Sequence, residues 1–75
     1  MPETCYPNFF RAMREWREEL GLSDRQFALR VLEISAAQWS RLRHGNRALT
    51  SEFALACVAK RSKIKGAWIA DLVAS

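Results

Sequence analysis

An all-α domain of five short helices is the fold class that this sequence predicts, on three observations. Apolar residues recur at intervals of three and four, and no stretch alternates with period two for long enough to make a convincing strand. Two Ser-x-x-Gln capping boxes, Ser23 with Gln26 and Ser35 with Gln38, lie twelve residues apart. Glycines at 21 and 45 follow periodic stretches, where a left-handed residue can end a helix.

The elements follow in order. Residues 1–7 read as an extended N-terminal arm. Asn8 can cap a first helix whose apolar face is Phe9, Met13, Trp16 and Leu20, with Arg and Glu filling the other side. Gly21 then suits a Schellman end, with Leu22 folding back as its apolar contact. The box at Ser23 opens a second helix to about Leu32, with Phe27, Ala28, Val31 and Leu32 inward. Glu33, Ile34 and Ser35 make a tight turn into the third helix, which Gly45 ends, and residues 46–49 form a loop. Thr50 or Ser51 caps a fourth helix to about Arg61; residues 53–59 are almost all apolar, so this helix is expected to be the most buried. A last helix over residues 66–74 offers Trp68, Ile69, Leu72 and Val73. Trp68, Leu72 and Val73 are the expected dimer contacts, because a core this small gains much from a second copy.

Seventy-five residues make one domain, residues 1–75, able to bury only about 60% of its unfolded surface. With 49% hydrophobic residues and three Trp the chain is too apolar for a disordered tail. No apolar run reaches the roughly 18 residues of a membrane span, and the N-terminus lacks a basic n-region, so no membrane association and a cytoplasmic location are expected. Cys5 and Cys57 then read as free thiols, Cys57 as a small core residue in FALACVA. Cys5, His44 and Cys57 lack metal-ligand spacing, and no cofactor is expected. One histidine among arginines, with no carboxylate pair, activated nucleophile or Gly-rich phosphate loop, argues against an enzyme.

The net charge of +4 is unevenly spread: residues 1–40 hold five bases and six acids, residues 41–65 seven bases and one acid. Such a concentration points to a polyanion. At 100° per residue, Trp39 and Leu42 of the third helix share one side, and Ala37, Ser40, Arg41 and His44 the other. Residues 34–50 contain no acid, whereas a merely solvated face would carry Glu–Lys pairs. Small residues permit close approach to base edges in a major groove, and Arg41 can bond guanine in a bidentate way. Arg43, Asn46 and Arg47 are better placed for phosphates.

The stretch LSDRQFALRVLEISAAQWSRLRHGNRALTSEFAL resembles the helix-turn-helix domain of the phage repressor and Cro class, the XRE family. The pattern is a capped second helix beginning Leu-Ser with Ala at its fifth position, a three-residue turn with an aliphatic centre, a Ser-capped recognition helix, and Leu-x-x-Gly before the loop. The resemblance implies a five-helix lambda-repressor-like bundle that binds double-stranded operator DNA as a two-fold homodimer, with residues 36–43 in the major groove. Base contacts are expected at Ala36, Ala37, Gln38, Ser40 and Arg41, and backbone contacts at Ser23, Arg25, Ser35, Arg43, His44, Asn46 and Arg47. Three positions depart from the family. Glu33 stands where Gly is common, Asp24 where a phosphate-binding Gln is common, and Arg43 where an acid often pairs with a base at the position of Arg17. The expected function is a sequence-specific transcriptional regulator, a repressor; the alternative is an antitoxin or similar protein whose main act is to neutralise a protein partner.

Overall fold

The computed structural model describes residues 6–45 and 48–74. Among them the chain is all-α, in five helical segments with no strand: α1 (Pro7–Leu20), α2 (Asp24–Phe27, continued without a break by a π-helical Ala28–Leu32), α3 (Ala36–Arg43), α4 (Ser51–Lys60) and α5 (Lys63–Ala74). The packed body measures 30 × 25 × 20 Å.

Local chemistry sets most of the boundaries. Pro7 starts α1, where a missing N–H costs nothing and a fixed φ suits the first turn. At its far end Gly21, with φ 69°, donates to the Glu18 carbonyl, and Leu22 N–H donates to that of Arg17, the two bonds of a Schellman end. Both Ser-x-x-Gln boxes close: Gln26 N–H donates to Ser23 Oγ at 3.2 Å and Gln38 N–H to Ser35 Oγ at 3.1 Å, while each glutamine Oε1 accepts from its serine's N–H. Thr50, rather than Ser51, caps α4 through a bond from Phe53 N–H.

Between α2 and α3 the chain turns through Glu33, whose φ of 58° is the only positive value at a non-glycine among the described residues. Glu33 and Ile34 both donate to the Ala28 carbonyl, and the Ile34 bond spans one residue more than its counterpart after Gly21. That longer reach widens the last turn of α2 into π geometry and lays Ile34, half-buried, against the core.

Eleven residues form that core: Phe9, Met13 and Trp16 of α1, Phe27, Ala28 and Leu32 of α2, Trp39 and Leu42 of α3, Ala54 and Cys57 of α4, and Ile64 of α5. Trp16 meets Phe27 edge to face with centroids 5.2 Å apart, and Phe27 meets Trp39 at 5.9 Å, an aromatic chain linking the first three helices.

The structure corrects five expectations, the first being Leu20, expected on the apolar face of α1 but 48% exposed. Asn8 does not cap α1: the N-cap position is Tyr6, which offers no side-chain bond. The cap comes from Asp71 on α5, 2% exposed, whose Oδ2 accepts from Phe9 N–H at 2.7 Å and whose Oδ1 accepts from Asn8 N–H at 3.1 Å and Asn8 Nδ2 at 2.9 Å. A buried carboxylate is satisfied there by the positive end of the α1 dipole. The arm expected over residues 1–7 does not include Pro7, which is already helical, and residues 1–5 lie outside the described residues. Helix α4 is not the most buried: Ala54 and Cys57 face the core, and Leu55 is 55% exposed. Finally, α5 begins at Lys63 rather than at residue 66, anchored by the buried Ile64.

Candidate nucleic-acid interface

Helix α3 is held from one side only. Trp39 and Leu42 are buried, 2% and 7% exposed, so the opposite face is forced outward by helical geometry. Ala37, Arg41 and His44 are exposed on it, and Ala36, Gln38 and Ser40 are half-buried along its flanks. Arg41 makes no ion pair or hydrogen bond among the described residues, so its guanidinium retains all its donors.

The polar residues around this face are differently committed. Ser35 and Gln38 hold each other in the capping box, which uses the glutamine oxygen and leaves its amide N–H2 available. His44 Nδ1 lies 2.8 Å from the Ser40 carbonyl and 3.3 Å from Ser40 Oγ. A carbonyl only accepts, so Nδ1 carries the proton in that bond and Nε2 is the nitrogen left for any further partner. Ser23 and Arg25, on the first turn of α2, are exposed. Asn46 and Arg47, expected at phosphates, lie outside the described residues.

Arg43 turns away from the outward face. Its guanidinium sits 5.7 Å from the centroid of the Trp39 ring and 4.0 Å from Asp24 Oδ2, and the side chain is 35% exposed. Asp24 also pairs with Arg17 at 3.2 Å, and Arg17 Nη1 donates to the Leu22 carbonyl at 2.8 Å. The base of α1 therefore has a carboxylate partner, supplied by the first turn of α2 and shared with the last turn of α3. One acid at position 24 bridges both arginines. A network at this exposure is worth on the order of 1 kcal/mol. Asp24, which stands where the sequence pattern suggested a phosphate-binding Gln, is neutralised locally by two guanidiniums.

Pairing also redistributes the basic third of the chain. Lys60 reaches Glu33 at 3.5 Å, and Arg61 reaches Glu19 at 2.8 Å while lying 5.9 Å from the Trp16 ring centroid. With Arg43 on Asp24, three of the seven bases between residues 41 and 65 are thus answered by acids from the first forty residues. Arg41 keeps its charge unpaired on the outward face of α3.

The expected dimer residues lie on α5: Trp68 is half-buried against the core, Leu72 is 45% exposed and Val73 is 80% exposed. Ile69 adds a further exposed apolar side chain on the same helix. Among the described residues no cluster of three or more His, Cys, Asp or Glu could hold a metal ion, and no helix is long and apolar enough to cross a membrane. A scan against protein-family models and searches of curated proteins and of solved structures found no match for this chain.

Proposed function

We propose that the chain is a sequence-specific DNA-binding regulator, a repressor of the helix-turn-helix kind, which lays α3 in the major groove of an inverted-repeat operator as a homodimer. The observation that carries this reading is the outward face of α3, where Ala37 and an unpaired Arg41 are exposed in a segment without acids. Two closed capping boxes around a three-residue turn support it, since they fix how α3 projects from α2. In this reading Ala36 and Ala37 allow close approach, Gln38 and Ser40 border the base edges, and Arg41 reads guanine. Ser23, Arg25, Ser35, His44, Asn46 and Arg47 hold phosphates, whereas Arg43 positions α3 through Asp24 and Trp39. The exposed Ile69, Leu72 and Val73 supply apolar surface for the second copy.

Duplex binding titrated against salt tests the proposal. About six phosphate contacts give a log–log slope near −5, and a slope near zero refutes it. Arg41→Ala should relax preference at one base position at a cost of about 1–3 kcal/mol, while Arg47→Ala should weaken all sequences alike. Equal, sequence-blind losses from both would remove Arg41 from the reading face.

A further inference from the structure

A cleft of about 400 Å³ opens between α1 and α3, on the side of Trp39 away from the core interior. Its floor is apolar, built from Phe10, Met13 and Trp39, and its walls carry Arg11, Arg14 and Arg43. Arg17 and Asp24 also line it, with Asp24 paired to Arg17 and Arg43, so four guanidiniums share the cleft with a single carboxylate. Arg14 is exposed and has no ion pair or hydrogen bond among the described residues.

Two buried donors on this wall have nothing to donate to: the indole N–H of Trp39, a residue 2% exposed, and Nε–H of Arg43. Buried N–H groups are nearly always paired, and each orphan costs about 1–3 kcal/mol. Both orphans belong to residues that line this one cleft, together with Arg11, Arg14 and Arg17. Apolar floor and convergent cationic donors are the parts of a small-molecule site, and the volume falls within the roughly 300–1,000 Å³ typical of one.

We propose that this cleft binds a small aromatic carboxylate, its ring system lying on Phe10, Met13 and Trp39 and its carboxylate taking hydrogen bonds from Arg43, Trp39 and the neighbouring Arg14. An inorganic phosphate would satisfy the cations and leave the apolar floor wet, so the floor selects an anion with a flat apolar body. Trp39 and Arg43 both belong to α3, so a bound ligand bears directly on the helix whose outer face carries Arg41. The assignment does not depend on the duplex-binding proposal, and its test involves no DNA.

Calorimetric titration of the full chain with 2-naphthoate, 2-naphthamide and inorganic phosphate provides that test. Saturable one-to-one binding of 2-naphthoate is expected, with Kd at or below about 1 mM. Loss of one charge-assisted hydrogen bond, about 1.5–3 kcal/mol, makes the neutral amide at least about tenfold weaker. Phosphate should be weaker by a similar factor. Arg43→Gln and Arg14→Gln should each weaken 2-naphthoate several-fold, and Trp39→Phe removes the indole donor while keeping the ring. Arg14 makes no ion pair or hydrogen bond among the described residues, so Arg14→Gln decides the matter if circular dichroism shows Arg43→Gln or Trp39→Phe to be unfolded. Absence of saturation, equal binding of acid and amide, phosphate as tight as naphthoate, or unchanged binding by Arg14→Gln would each overturn the proposal.

Discussion

Removing the Asp71 carboxylate should cost this domain a large part of its stability. That carboxylate receives three hydrogen bonds, two of them from first-turn backbone N–H groups of α1, in a site only 2% exposed. Capping residues replaced by Ala typically cost about 0.5–2 kcal/mol, and a buried donor left unsatisfied about 1–3 kcal/mol. These overlap rather than add, because both describe the same amides, so Asp71→Ala is expected to lose about 2–4 kcal/mol. Domains of this length hold roughly 0.05–0.15 kcal/mol per residue, or about 4–11 kcal/mol in total. Asp71→Asn keeps one acceptor oxygen but turns an N–H2 toward an N–H donor, and should lose about half as much. Asn8→Ala removes one bond of the three and should cost about 0.5–1 kcal/mol. Urea denaturation followed by helical circular dichroism and tryptophan emission reads all three variants, with unchanged m-values expected. A loss below about 0.5 kcal/mol for Asp71→Ala would refute the reasoning, since it would mean that water replaces the carboxylate at no cost.

Two further outcomes follow from the turn after α2 and from the core. Glu33→Gly should stabilise the fold by about 0.5–1 kcal/mol, because relief of a left-handed residue outweighs the exposed Lys60 pair and the added freedom of the unfolded chain; a lower urea midpoint would contradict this. Burial pushes the Cys57 thiol up from 9.0 to about 11, against a smaller lowering by Lys60. The thiol's folded value lies above its unfolded one, so its contribution is complete below pH 9.0 and is lost as pH rises toward about 11. Between about pH 8 and about pH 10.5 the chain should therefore lose on the order of 2 kcal/mol more than its Cys57→Ala variant. Parallel stability curves for the two proteins would show that the thiol does not remain neutral in the folded state.

What the sequence made legible was chemistry confined to a few neighbouring residues. Both capping boxes, the Gly21 end and the inward pair Trp39 and Leu42 depend on partners three to five positions away, and each stands as expected. Helix α4 misled because a nearly uniform apolar run has no periodicity, and nothing in FALACVA tells Leu55 from Cys57. The start of α5 was hidden by its lysines, which surround the single buried Ile64. On the candidate interface, exposure of Ala37 and Arg41 followed from the helical wheel, but the inward turn of Arg43 did not. Its partner Asp24 lies on another helix, and the Glu33–Lys60 and Glu19–Arg61 contacts join residues 27 and 42 positions apart. Pairings at such separations leave no local pattern.

The amide of Phe9 and the carboxylate that receives it stand 62 residues apart. A ribosome adding about 5–20 residues per second needs about 3–12 s to deliver the second after the first. Until then the opening turn of α1 has only water for its N–H groups, whereas each capping box of α2 and α3 needs a partner only three residues on. Vectorial synthesis thus builds the segment that carries the outward-facing arginine before the clasp that closes the bundle, and α5, made after α1–α4, is the helix that locks the first.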